Sequence, residues 1–365
     1  MSQVPLKDYA YGNARVKAMS GRLLSAPEFD TLLAAPDFNH FLSELDDTQY
    51  GPYIEEAVIE GIRPTLIDRA FNRNMVKEFT KIRNFFEGRP HELVGILLAR
   101  WDLYNLKTIL RGKQALVPNS EIIRALMPMG DLDEVLLEEI VSQPDFRACV
   151  DAIVMFGHNW NIRYGSAINS RLREYFHEHD LAVLELAMDR LHFQTVSEEA
   201  EGNDSSSLKV SKMIKLEIDA INHVTLLRLS GLDMNRDQLK EYYLPGGDMR
   251  FGVFTRIAAS KDEEAVTREL SVGPYRQILS RAMGDLDEKG YSVFQDELER
   301  FMIRCAIRLD DNPLDIGVII KYMWRKYMEV ANMRVIMRGK SIGLIESQIR
   351  KEMIDLERET EARAG

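Results

Sequence analysis

The stretch Asp102-Leu-Tyr-Asn105, with Arg111 six residues further on, recurs as Asp219-Ala-Ile-Asn222 with Arg228 and as Glu329-Val-Ala-Asn332 with Arg338. One spacing, acid-x-x-Asn-x5-Arg, is thus written three times into 365 residues, and ordered self-similarity decides architecture before any single motif does. A second signature stands upstream of each copy: Asp68-Arg69, Asp189-Arg190 and Glu299-Arg300, which precede the acid by 34, 30 and 30 residues. A breaker separates the two signatures each time, at Glu87-Gly88, Glu201-Gly202 and Asp310-Asp311, so each copy reads as a helix, a turn and a returning helix. The Ser- and Glu-rich stretch Ser197 to Ser207 is then the turn of the second copy.

Further upstream, Ala35-Pro36-Asp37-Phe38 has a counterpart in Gln143-Pro144-Asp145-Phe146. Each precedes an apolar helix and an aromatic turn, at Tyr50 and at Trp160 to Tyr164. Ala258 to Asp262 and Tyr275 form a weaker third match. The spacing predicts three helical repeats, approximately residues 1–115, 116–232 and 233–365, in one integrated body. Apolar residues recur at three- and four-residue steps, as in Val94, Leu97, Leu98 and Trp101 or Leu216, Ile218, Ile221, Leu226 and Leu227. Alternating strands flanked by hairpin turns are missing from the pattern, and the expected fold class is all-α.

Within the signature, the acid and the asparagine lie one helical turn apart and share a face. Arg111 and Arg338 immediately precede Gly112 and Gly339, which reads as a helix end: the cation complements the last carbonyls and a left-handed glycine caps them. The second copy delays its glycine to Gly231. Three acids and three asparagines converging on one axis as a ligand or ion site is the functional alternative. A packing device of satisfied hydrogen bonds is the reading preferred here.

The rest of the sequence narrows function by exclusion. A formal net charge of −11 argues against a nucleic-acid partner, which would need a basic surface. Only Cys149 and Cys305 are present, without metal or redox spacing, which fits a reducing cytoplasm. Met1 to Tyr11 lacks a basic segment followed by an apolar one, and the longest apolar windows, such as Leu93 to Leu98, fall short of a membrane span, so any membrane association is expected to be peripheral. Gly339-Lys340-Ser341 imitates the end of a phosphate loop, but Arg334 stands where the first glycine is needed. His177-Glu-His179 lacks the gap that places two histidines on one helix face, and Asp310, Asp311 and Asp315 are split by the Asn312-Pro313 turn. No nucleophile elbow or glycine-rich strand-to-helix turn exists. No catalytic, cofactor-binding or metal residue is assigned, and the methionines are expected to fill core gaps.

The opening Tyr9-Ala-Tyr11-Gly-Asn13-Ala-Arg15-Val-Lys-Ala-Met19, then Leu23-Leu24 and the Leu45-Asp-Asp-Thr48-Gln-Tyr50 turn, resembles the stalk-to-ring subunit of A-type and V-type rotary ATPases, called C in archaeal and bacterial enzymes and d in eukaryotic pumps. The resemblance extends through the three signatures to Arg338-Gly339. It departs at Phe156-Gly-His158-Asn159-Trp160, where a Thr-x-Tyr turn is expected, and in a longer loop after Val196. The resemblance implies a funnel of three helical subdomains around a pseudo-threefold axis, with a central socket for stalk subunits D and F. The opposite face would rest on the proteolipid ring, at the cytoplasmic side of the membrane. It implies a non-catalytic rotor subunit that transmits torque between ion transport and ATP synthesis. The competing reading, on repeat evidence alone, is a helical scaffold or adaptor outside any ATPase.

Overall fold

The structure, a computed structural model, describes residues 7–156, 162–229, 232–260, 291–310 and 312–354. These form seventeen helices and no strand, as the three- and four-residue periodicity requires. The turn at Trp160, Gly231, Asp262, Tyr275 and Asp311 lie outside the described residues.

The chain divides into two compact units. The first comprises Met1–Gly95, Arg124–Met129 and Ile303–Gly365, and so joins the two ends of the sequence. It contains α1 (Lys7–Ser20), α2 (Ala26–Ala34), α3 (Phe38–Ser43), α4 (Gly51–Glu60) and α5 (Pro64–Arg83), together with the start of α6 (Gly88–Gln114). The second unit, Ile96–Ile123 with Gly130–Met302, holds the remainder of α6 and most of α7 (Asn119–Ala125). There follow α8 (Glu134–Ser142), α9 (Phe146–Phe156), α10 (Ile162–Glu178), α11 (Ala182–Glu199), α12 (Ser205–Leu229), α13 (Arg236–Tyr242), α14 (Phe251–Ala258) and most of α15 (Tyr291–Ile307). The last two helices, α16 (Gly317–Ser341) and α17 (Glu346–Glu352), return to the first unit.

The opening motif splits by face. Tyr9, Asn13, Val16 and Met19 are buried, and the Asn13 amide donates to the carbonyls of Pro313 and Asp315, both at 2.8 Å. A Cβ on Gly12 would fall within 2.1 Å of the Phe86 ring, so this glycine is a close-approach position. The other face presents Tyr11 and Arg15, with the guanidinium 4.0 Å from the Phe85 ring centroid.

Helix caps explain the other repeated motifs. Asp37 and Asp145 of the two Pro-Asp-Phe segments are N-caps: the first accepts from the amides of Asn39 and His40, the second from Ala148. Of the Ser-rich stretch only residues 200–204 form the turn, since α11 runs on to Glu199 and α12 begins at Ser205; Asp204 closes it by accepting from the amides of Ser206 and Ser207. Asp315 likewise accepts from the Gly317 amide at the head of α16.

The helix-end reading of Gly112 and Gly339 requires a correction. Neither has a positive φ, and both lie inside their helices. The left-handed residues are Leu116 (φ 55°) and Gly343 (φ 75°). The Val117 and Leu344 amides donate to the Gly112 and Gly339 carbonyls, both at 2.9 Å, closing the same Schellman turn in both copies. The two internal glycines instead admit the next helix: a Cβ would stand 2.6 Å from Ile122 Cγ1 at Gly112 and 2.5 Å from Ile349 Cγ1 at Gly339. Overpacking such a crossing costs about 1–3 kcal/mol. Gly339→Ala should therefore lower stability by that order in chemical denaturation, and adding Ile349→Ala should cost less than the sum of the two single changes.

Candidate functional site

The signature acids are buried and hydrogen-bonded. Asp102 accepts from the amides of Asp131 (2.8 Å) and Leu132 (3.0 Å), which lie 29 and 30 residues downstream. Asp219 accepts from Asp248 (3.1 Å) and Met249 (3.0 Å), again 29 and 30 residues downstream. A glycine precedes each amide pair. A Cβ on Gly130 would stand 2.3 Å from the Asp102 carboxylate, and one on Gly247 would stand 2.0 Å from that of Asp219. Each carboxylate thus fills a backbone nest that only glycine leaves open. Burial raises the Asp219 carboxyl above the usual carboxylate range, and the two amides oppose the shift.

Glu329, the third acid, is different. It accepts from the Leu24 amide (2.5 Å), Gln49 Nε2 (3.2 Å), Lys326 Nζ (2.9 Å) and the Tyr50 hydroxyl. Lys326 and Tyr50 have no exposed surface, and Lys326 also donates to the Tyr50 hydroxyl at 2.5 Å. Burial pulls the Lys326 ammonium down, and Glu329 opposes this. Burial, then the negative charge of Glu329, raises the Tyr50 phenol. Ala99 and Leu216 stand at the positions corresponding to Lys326, so this cation belongs to the third copy alone. Nearby, Glu78 accepts from Arg22, Lys81 and Tyr322.

The asparagines tie the same helices to other backbone. Asn222 donates to the Leu244 carbonyl (2.8 Å) and accepts from the Leu244 amide (2.9 Å). Asn332 makes the same pair with Ile354, at 3.1 and 2.8 Å and the same separation of 22 residues. Asn105 is fully buried. These bonds tie Asn222 and Asn332 to backbone of following segments. Among the described residues no group of three or more His, Cys, Asp or Glu is placed to hold a metal ion.

Two of the three upstream acids pair with a cation on a signature helix. Asp68 accepts from Arg334 Nε at 2.6 Å, and Asp189 from Lys107. Both cations stand five positions after a signature acid, while Val224 occupies that place in the second copy and packs against an apolar cluster. Burial raises the Asp189 carboxyl, and Lys107 opposes it. Arg69 pairs with Glu60 at 3.6 Å, Arg190 donates to the Lys240 carbonyl, and Arg300 lies 3.7 Å from Glu297, with Glu299 half-buried beside it. The signature arginines point outward: Arg111 grips Glu185 with two bonds of 2.5 and 2.6 Å, and Arg228 and Arg338 are exposed.

Three kinds of partner escaped the sequence reading although the repeats displayed them: the cations at Lys107 and Arg334, the glycines at 130 and 247, and the lysine following each Arg-Gly pair. Lys113 donates to the Gln143 carbonyl (2.6 Å), and Lys340 to those of Leu33 and Ala35 (2.6 and 2.5 Å). Gln143 and Ala35 each precede the proline of a Pro-Asp-Phe segment, so the lysine that imitated a phosphate loop is a clamp on backbone.

The amino-acid sequence matches the profile of the ATP synthase (C/AC39) subunit family over residues 12–352. It is 28% identical to the C subunit of the A-type ATP synthase of Methanococcoides burtonii, over 95% of this chain and 94% of the relative. It is 27% identical to the corresponding A-type protein of Halorubrum lacusprofundi, over 97% and 99%. The C subunit of the V-type ATP synthase of Thermus thermophilus is 29% identical over 95% of this chain and 98% of its own length.

Two outcomes follow from these geometries. Removing one partner of a buried ion pair costs about 3–5 kcal/mol. Lys326→Met should therefore destabilise by that order, and the double variant Lys326→Met with Glu329→Gln should recover part of the loss in a denaturant titration. Burial holds His192 near pKa about 3, aided by Arg100 and Lys107, and holds His223 at about 4 against the opposing bond to the Asp219 carbonyl. Both imidazoles are neutral when folded and titrate near 6.5 when unfolded. Their contribution is complete above about pH 6.5 and is lost progressively as pH falls toward the folded values. At about pH 5.5 the loss is about 1.4 kcal/mol each, which should lower the melting temperature relative to neutral pH and be blunted by His192→Gln.

Proposed function

The chain belongs to the ATP synthase (C/AC39) subunit family, and on that premise we propose that it is the non-catalytic rotor subunit that links central stalk subunits D and F to the proteolipid ring. The signature acids Asp102, Asp219 and Glu329 and the asparagines Asn222 and Asn332 are occupied in holding helices to other segments, and rigid helix-to-helix fixation is the property a torque-transmitting part needs. The carrying observation is that fixation: two aspartates, each bound to two amides 29 and 30 residues downstream, and two asparagines, each doubly bonded 22 residues downstream. Such pairs resist sliding because slipping by one residue gives up both bonds of the pair at once, at about 0.5–1.5 kcal/mol for each bond.

In this reading three helical repeats, near residues 1–115, 116–232 and 233–365, surround a socket for the stalk. The ring contacts lie at loop tips, and the protein sits peripherally at the cytoplasmic side of the membrane. Among the described residues no helix is long and apolar enough to cross a membrane, so attachment runs through the ring. Torque from the ion-driven ring then passes to the stalk and the catalytic head for ATP synthesis, with no cofactor required of this subunit.

Affinity purification of the tagged chain from native membranes in mild detergent should recover D, F and the proteolipid together with the catalytic head, identified by mass spectrometry. Recovery of soluble partners alone, with an intact ATPase lacking this chain, would overturn the assignment in favour of an independent scaffold.

A further inference from the structure

In every copy, a residue whose amide donates to the signature acid stands immediately before the N-cap of a helix. Leu132 precedes Asp133, the N-cap of α8; Met249 precedes Arg250, the N-cap of α14; and Leu24 precedes Ser25, the N-cap of α2. The lysine clamp keeps the same order, since Lys113 holds the carbonyl before Pro144 and Lys340 the carbonyl before Pro36. The third copy therefore makes on residues 24–35 the joint that the first makes on residues 132–143.

The joints differ in chain continuity. In the second copy, the asparagine's partner Leu244 and the acid's partner Met249 lie five residues apart on one stretch of chain. In the third, Asn332 holds Ile354 while Glu329 holds Leu24, and the chain runs from one to the other only through the rest of the molecule. This joint is a seam between the N-terminal and C-terminal segments of the first unit, and non-covalent contacts alone close it. It is also where the sequence departs from the other copies: Lys326 stands where they have Ala99 and Leu216, and glutamate replaces aspartate. Lys326 and Glu329 tie α16 to Tyr50, the N-cap of α4, and Tyr322 adds a bond to Glu78 on α5. A buried ion pair adds little stability over well-packed apolar side chains, and its best-attested use is to fix register, which is what a joint without chain continuity lacks.

We infer that the first unit is a latch: its N-terminal and C-terminal segments separate and reclose at this seam, with Lys326, Glu329 and Tyr50 as the catch, while the Asp102 and Asp219 joints of the second unit stay shut. Opening the seam gives back the entropy of holding together segments far apart in sequence, and a joint whose partners lie some thirty residues apart gives back less. Water replaces each polar tie as the seam parts, so the net loss per bond is modest. One motion then uncovers Tyr50 and Tyr322, both buried in the closed form.

Native-state hydrogen exchange of the full-length chain, followed by mass spectrometry at denaturant concentrations below the unfolding transition, tests this. Peptides from residues 24–50 and 319–337 should exchange together, at least tenfold faster than peptides around Leu132 and Met249. Lys326→Met should raise exchange in both seam segments by a common factor of at least tenfold and leave the Leu132 and Met249 peptides unchanged. A milder matched pair repeats the comparison: Lys340→Met should raise exchange in both seam segments, whereas Lys113→Met, which removes the same clamp in the second unit, should act only around Gln143. Equal protection at Leu24, Leu132 and Met249 in the wild type would overturn the inference. Exchange of the N-terminal segment without the C-terminal one, which is fraying of one end, would also overturn it, as would a Lys326→Met or Lys340→Met effect spread evenly over both units.

Discussion

A buried carboxylate seated on two backbone amides is the interaction on which the rest depends. Asp102 and Asp219 each take two consecutive amides of a turn that begins with a glycine, Gly130 or Gly247. The acid fixes where the long helix meets the following segment, the asparagine three residues later fixes its rotation, and in the first and third copies a cation five residues after the acid, Lys107 or Arg334, engages an acid of the other signature. These groups are committed to holding backbone and side chains of the same chain. Removing an acid or an asparagine leaves its backbone partners without that bond, which is why these positions are sensitive to substitution.

The third copy shows how the same device is adapted to join the ends of a chain. Glu329 reaches the Leu24 amide and the Tyr50 hydroxyl, 305 and 279 residues away in sequence. The longer glutamate side chain and the buried Lys326 accommodate this different geometry. Lys340 and Asn13 add contacts between the two ends of the sequence, on Leu33 and Ala35 and on Pro313 and Asp315. The first unit is therefore built from both termini, an outcome of contact order rather than of local propensity.

Much of this is legible in the residues alone, for identifiable reasons. The all-helical class follows from periodicity, and the shared helix face of the acid and asparagine suggests, without establishing, a common use in packing. The Ser-rich turn follows from its place between two signatures. What stays hidden depends on backbone geometry. Gly112 and Gly339 read as caps because glycine after a cation looks like a helix end, whereas their use is to admit Ile122 and Ile349. The amide donors to Asp102 and Asp219 carry no side-chain signature at all, and only the glycines 28 positions downstream betray them. Lys107 and Arg334 form a two-copy pattern, which Val224 breaks in the remaining copy.

The rotor assignment requires this chain to move with the ring. The direct measurement is ATP-driven ion transport by the intact complex after a cysteine-specific cross-link is formed between this chain and a proteolipid loop. If the joined parts already turn together, transport and ATP hydrolysis continue at the uncross-linked rate. Arrest on cross-linking, with recovery when the link is reduced, would show that the chain stands still while the ring turns.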